Sequence, residues 1–413
     1  MSNSSQGPLA GVRAIELGQI AAGPFTGSLL ADLGADVIKI ERPDGGDGMR
    51  SWPPLSTADG DDTAYSENFA SLNRNKRSVA LDLKVRDDVD RLLRLTGVAD
   101  VLVENYRPGV LARLGADYDA VSARNPKIVY CSISGYGQTG PYANKGAFDV
   151  SVQGMSGLMS VTGEPRGGPV KCGVPVGDFC AGLYAAYTIT ASLMRAAETG
   201  RGAYIDCSML GSLIGVAALQ TSEYFGTGAA PRPLGSAHPR NAPYQAFRAS
   251  DEHFIIAAGN DRLFAQVCAA VGLSDLADDP RFTSQLLRAE HQSELVAILG
   301  PRFAERTAAE WLGEMDARGV PCAPINDYPR VLDDPQVAHL GLVHPLTLPN
   351  GVETRTTGFP VAMSGYAFEI HRPPPALGAH TAEVLEEWLG ETPAAKEPAA
   401  QASTLRTTGR SRP

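Results

Sequence analysis

A chain of 413 residues exceeds one ordinary domain and suits two, or one large split domain. Hydrophobic residues make up 43% and charged residues 20%, which is enough apolar side chain for a substantial core. The net charge of −10 argues against a general nucleic-acid binder, so an anionic ligand would need a local basic patch.

In chain order, "VRAIEL" (12–17) reads as a buried strand. "GPFTGSLLADLGA" (23–35) is a helix with Phe25, Leu29, Leu30 and Leu33 on one face. Strands follow at 36–42 and 78–84, a helix at 86–99, a strand at 100–106 and another at 126–134. A helix over 179–197 follows. This alternation predicts an α/β protein with a parallel sheet covered on both faces. Gly and Pro concentrate in 226–244, which reads as a linker. Beyond it, strands in "YQAFRAS" and "HFIIAAG" and helices at 261–272, 284–299 and 306–318 predict a smaller α+β unit. Strands near 341–347 and 353–362 and a last helix at 380–390 bring the chain back. The expected division is a large domain over 8–223, a linker and small domain over 224–327, and a return to the large domain over 328–391. The tail 392–413, poor in bulky apolar residues, is expected to be disordered.

No run approaches the ~20 apolar residues of a membrane helix. "MSNSSQGPLAG" lacks a basic region followed by an apolar run, so no secretory leader is expected. Six scattered cysteines without a CxxC pair fit reduced thiols in a cytoplasmic protein. The seven histidines show no HxxxH or HExxH spacing, and no metal is expected. "GYGQTG" (135–140) matches GxGxxG, yet Pro141, Asn144 and Gly146 follow at once and no acid lies at the distance a dinucleotide site needs. It reads as a glycine-rich loop at a strand end.

"GVPVGDFCAG" (173–182) holds a single acid, Asp178, at the start of the predicted 179–197 helix. A helix N-cap accounts for it. A nucleophile accounts for it too. Gly177 would let a bulky group approach, and a helix N-terminus favours the ionised carboxylate. With no P-loop and no metal cluster, a carboxylate nucleophile leaves acyl transfer.

The sequence resembles the class III coenzyme A transferases, which include formyl-CoA:oxalate and carnitine CoA-transferases. The resemblance runs from "LAGVRAIELGQIAAGPFTGSLLADLGADVIKIERP" (9–43) to "RPPPALGAHTAEVL" (372–385). It is most specific in "NRNKRSVALDLK" (73–84), "ADVLVENYRPGVLARLGADY" (99–118) and "GVPVGDFCAGLYA" (173–185). It implies a Rossmann-like large domain built from both chain ends and an interlocked homodimer. It also implies Asp178 as the catalytic aspartate, and coenzyme A held by Ala22, Arg42, Leu81, Lys84, Asn105 and Arg113. Backbone amides near Gly177 are expected to hold the oxyanions. The second half, with "NAPYQAFRASDEHFIIAAGNDRLFAQVC" and "GVPCAPIND", is similar to the succinyl-CoA-dependent dicarboxylate branch. Arg50 and Arg166 are candidates for a distal substrate carboxylate.

The sequence departs from the formyl-CoA enzyme at Ala21, where that enzyme has a glutamine; Gln19 lies two residues earlier. Racemases of the same fold require a histidine where this chain has Phe148, so their acid/base chemistry is not expected. Asp149 next to it reads as a supporting acid or a turn residue. A non-catalytic CoA-binding protein would have no use for Asp178.

Overall fold

A computed structural model describes residues 7–58, 60 and 63–391. The tail expected at 392–413 lies outside the described residues. Six strands form one sheet: β1 (Arg13–Leu17), β2 (Asp36–Glu41), β3 (Lys76–Ala80), β4 (Val101–Glu104), β5 (Val129–Ser134) and β6 (Ala203–Ser208). They lie in the order β3-β2-β1-β4-β5-β6, every pair parallel. The chain runs outward from β1 in one direction, then returns to continue from β4 in the other. In such sheets a ligand crevice opens at the carboxyl ends of β1 and β4.

Helices cover both faces. α1 (Ala22–Asp32) and the long α4 (Val176–Thr199) lie on one side, with α3 (Asp149–Met155) and α5 (Met209–Val216) beside them. Their core holds Leu30, Val103, Ile133, Ala181, Ala185 and Ile189. On the other side, α2 (Arg86–Thr96) and α6 (Thr381–Leu389) pack Leu92, Leu93, Val384 and Trp388 against Ile15, Ile38 and Leu102. Each such apolar side chain contributes roughly 1.5–3 kcal/mol when fully buried.

The α/β reading with a parallel sheet is what the structure shows, with two differences of detail. The third strand, expected at 78–84, lies at 76–80 and opens on Lys76 and Arg77, 0% and 1% exposed. Both charges are paired. Lys76 meets Glu16 at 2.7 Å, and Arg77 meets Asp36, Glu383 and Glu387. Hydropathy passes over a strand whose buried positions are neutralised by partners. The edge strand β6 alternates buried and exposed residues and has no long apolar run.

The last helix closes onto the first half of the chain. The His380 amide donates to Ser78 O at 3.0 Å, and Tyr65 Oη donates to Pro375 O at 3.0 Å. Between the halves, Tyr244–Arg248, His253–Ala257 and Cys322–Pro324 form an antiparallel three-stranded sheet. Its helices bury Phe254, Phe264, Phe282, Phe303 and Trp311 in a core of their own. The helix expected at 284–299 is two, Gln285–Glu290 and Gln292–Phe303. Strands Val343–Thr347 and Glu353–Thr357 pair as a hairpin on the return path.

Candidate active site

A cavity of about 340 Å³ opens at the carboxyl ends of β1, β4 and β5. Its wall is built from residues 19–22, 105–108, 133–136, 143, 145 and 147–149, with Asp178 and Met209.

The loop leaving β1 is held from beneath by a buried charge network. Lys39 Nζ donates to Gly18 O at 2.7 Å and pairs with Glu16 and Asp47 at 2.7 and 2.9 Å. Asp47 accepts the Ile20 amide at 3.1 Å, where φ is +66°. Lys76 Nζ donates to Pro24 O at 2.7 Å. Asn105, just after β4, accepts the Gln19 amide at 2.8 Å and donates to Gln19 O at 2.9 Å. One side chain therefore ties the two edges of the crevice together.

Asp178 sits in the first turn of α4, third residue in, with Pro175 at the N-cap position and no side-chain cap bond. The cap reading is thereby corrected. α4 reaches the cavity by crossing α1 closely. A Cβ at Gly182 would stand 2.7 Å from Phe25 Cδ1, and Phe25 packs on Phe179 with ring centroids 4.7 Å apart. Burial and the neighbouring Asp149 charge push the Asp178 carboxyl up to about 7. The expectation that the helix N-terminus leaves it ionised is corrected as well. A helix dipole contributes ~0.3–1 kcal/mol, less than desolvation together with a like charge.

Gly177 has a different purpose from the one expected. Its amide donates to Asp149 Oδ1 at 2.8 Å, and a Cβ there would lie 2.9 Å from that same oxygen. The missing side chain makes room for Asp149, and this amide is already engaged, so it is not a free oxyanion donor.

Of the residues singled out in the sequence, the cavity wall brings together Ala22, Asn105 and Asp178. Arg42 and Lys84 are exposed and stand outside the wall, beyond the carboxyl ends of β2 and β3. Arg113 is exposed on the short helix Val110–Leu114, which follows β4. All three therefore lie along the edge on which the cavity opens. Leu81 as a whole residue is 2% exposed, with its side chain in the core and its amide donating to Glu41 O at 2.9 Å. Arg50 is committed elsewhere. It grips Glu41 through two bonds of 2.7 Å, donates to Pro375 O and stacks on Phe69 at 3.9 Å. It cannot serve as the cation for a distal carboxylate. Arg166 is exposed in a turn.

Sequence reasoning missed the two cations of the wall, Arg107 and Lys145. Lys145 lies over the rings of Tyr136 and Tyr142 at 5.6 and 5.3 Å. Their signal was position: each occupies a loop that follows a sheet strand, Arg107 in "NYRPG" and Lys145 just before "GAFD". Phe148, 78% exposed, lines the same cavity and can exchange no proton. Among the described residues, no group of three or more His, Cys, Asp or Glu side chains could hold a metal ion, and no helix is long and apolar enough to cross a membrane. All six cysteines are free thiols. The wall holds two half-buried carboxylates, Asp149 and Asp178, and two cations, Arg107 and Lys145, which suits acyl transfer from an anionic donor.

The chain was compared with known proteins. The profile of CoA-transferase family III matches residues 9–381. Succinate–glutarate CoA-transferase of Agrobacterium fabrum is 41% identical over 382 residues, 92% of this chain and 95% of that protein. Succinyl-CoA:glutarate CoA-transferase of Homo sapiens is 39% identical, covering 92% of this chain and 86% of that one. Succinyl-CoA:mesaconate CoA-transferase of Haloarcula hispanica is 34% identical, covering 92% and 96%. Among solved structures, a CAIB/BAIF family protein from Brucella suis superposes with a TM-score of 0.83 at 37% identity, covering 93% of this chain and all of that one. On the profile, the relatives and the shared fold, the chain belongs to CoA-transferase family III.

Proposed function

We propose that the protein moves coenzyme A from succinyl-CoA to a small dicarboxylic acid, with Asp178 as nucleophile. The Asp178 carboxylate attacks the thioester carbonyl and expels CoA thiolate, forming a mixed anhydride. The thiolate attacks the aspartyl carbonyl, releasing succinate and leaving an aspartyl-CoA thioester. The acceptor carboxylate attacks that thioester, and the returning thiolate yields the new acyl-CoA and free Asp178. Each step exchanges one activated acyl bond for another, so no nucleoside triphosphate is consumed.

The observation that carries this reading is the half-buried Asp178 carboxylate in a cavity with Arg107 and Lys145 in its wall. Ala22, Asn105 and the backbone at Leu81 would contact CoA, while Arg42, Lys84 and Arg113 would meet its phosphates along the sheet edge. Glutarate and mesaconate, the acceptors of the relatives, define the acceptor class. A panel of dicarboxylic acids incubated with succinyl-CoA and read by mass for the new thioester tests the reading. A CoA adduct on Asp178 is expected, and turnover by Asp178→Ala would overturn it. The racemase alternative is disfavoured by Phe148, which replaces a required base.

The same reading places the enzyme in the cytoplasm, in keeping with its free thiols. It also makes the enzyme an interlocked homodimer, large domain over 8–223 and 328–391 and small domain with its linker over 224–327. Tyr187, Met194 and Phe225, 74%, 72% and 81% exposed, are apolar surface that a second copy would cover. Two differently tagged dimers mixed under native conditions test the interlocking. Exchange only after unfolding is expected, and exchange within minutes would exclude linked rings.

A further inference from the structure

The segment from Cys172 to Pro175 has no regular secondary structure, and it leads through Val176 and Gly177, the first residues of α4, to Asp178 in the cavity wall. Residues 172–177 are held at both ends by two side chains one turn apart on α3. Gln153, 0% exposed, accepts the Cys172 amide on Oε1 at 2.8 Å. Its Nε2 donates to Asp149 Oδ2 at 2.6 Å. Asp149 Oδ1 accepts the Gly177 amide at 2.8 Å. The amide of Gln153 and the carboxylate of Asp149 thus form one continuous chain of hydrogen bonds. A buried amide whose donor and acceptor are both matched has a single orientation, and so fixes its partners.

We propose that Asp149 and Gln153 are positioning residues: they clasp residues 172–177 and set where the Asp178 carboxylate stands against the acyl carbon. This rests on Asp178 being the nucleophile. Attack requires reacting atoms about 3–3.5 Å apart, and a displacement of about 1 Å costs on the order of 100-fold in rate. The loops at 19–22 and 105–108, which face Asp178 across the cavity, are fixed by Lys39, Asp47 and Asn105 and do not depend on the clasp. Loss of the clasp should therefore lower kcat and leave acyl-CoA binding nearly intact.

The test is steady-state kinetics of the full-length enzyme with succinyl-CoA and its best dicarboxylate acceptor. Gln153→Met removes both bonds at similar volume, and Asp149→Ala removes the other link. Each is expected to lower kcat by about 100-fold, with KM for succinyl-CoA within about threefold of the parent. Asp149→Asn keeps an oxygen for the Gly177 amide and is expected to recover about tenfold over Asp149→Ala, one hydrogen bond's worth. Values of kcat within about twofold of the parent in both Gln153→Met and Asp149→Ala would overturn the proposal, as would a loss seen only in KM. Hydrogen exchange on the unaltered protein needs no variant to fold. Slow exchange at Cys172 and Gly177 is expected, and fast exchange at both would overturn the clasp. Asp178→Ala run alongside separates the two ideas. If that variant turns over, the nucleophile reading fails; if it is dead while the clasp variants keep full activity, the clasp alone fails.

Discussion

Asp149 sets a second carboxylate beside Asp178 in the wall of one cavity, and burial with that charge raises Asp178 to about 7. The other titratable groups of the cavity wall are Lys145, Arg107, Tyr106 and Tyr136, and Cys180 lies two residues on in its own helix. A nucleophile must be deprotonated, so kcat/KM for succinyl-CoA is expected to rise with pH through about 7 and level off above it. In Asp149→Asn the acid limb should move to lower pH. A flat profile across this range would contradict the assignment.

The same group links pH to stability. Its folded value exceeds the ordinary 3.8, so its favourable contribution is complete below about 3.8 and disappears as pH rises through about 7. Asp178 makes no cap bond whose loss would offset this. Asp178→Ala is therefore expected to fold, to be inactive, and to match or exceed the parent's thermal stability at pH 8. A clear drop in Tm at pH 8 would point to a structural role instead.

Arg50→Ala should strike stability before catalysis. It strips the bidentate partner from Glu41, whose side chain is 1% exposed, while Ser78 and the Asp47 amide remain bonded to that carboxylate. Leaving a buried charge without its cation costs about 3–5 kcal/mol. Denaturant titration should show a loss at the lower end of that range. An unchanged midpoint with a raised acceptor KM would restore Arg50 to substrate binding.

Lys145→Ala and Arg107→Ala should each raise KM for succinyl-CoA by roughly 10- to 100-fold, the equivalent of about 1.5–3 kcal/mol for a charge-assisted contact. Arg42, Lys84 and Arg113, exposed like Arg107 and Lys145 but standing outside the cavity wall, should give smaller effects that fade with added salt. Titrations at two ionic strengths separate the groups. Equal salt sensitivity of all five would mean that the cavity cations are no better shielded than the rim.

The sheet was legible because β1, β2, β4 and β5 each carry Val, Ile or Leu at buried positions and are bounded by turn residues. β3 was misplaced because Lys76 and Arg77 look like surface residues until their partners are known, and Glu383 lies 306 residues away. The motif singled out Asp178, which lies in the cavity wall. Its environment was not legible, because Asp149 meets Gly177, 28 positions further on, only once the chain folds back. The same holds for Arg50: in sequence it is a free cation near a glycine turn, and only the fold reveals Glu41 and Pro375 around it.

The docking of α6 on β3 ties together two segments that are synthesised far apart in time. Ser78 and its partner His380 are separated by 302 residues. At synthesis rates of about 5–20 residues per second, the earlier segment waits roughly 15–60 s for the later one to emerge. During that interval the nascent chain can assemble the middle unit with its own aromatic core, while β3 keeps Arg77 short of two of its three carboxylates. Completion of the first-made half therefore waits on the later segment. A chain cut short before Thr381 would leave this face of the sheet permanently without its lid of Val384 and Trp388.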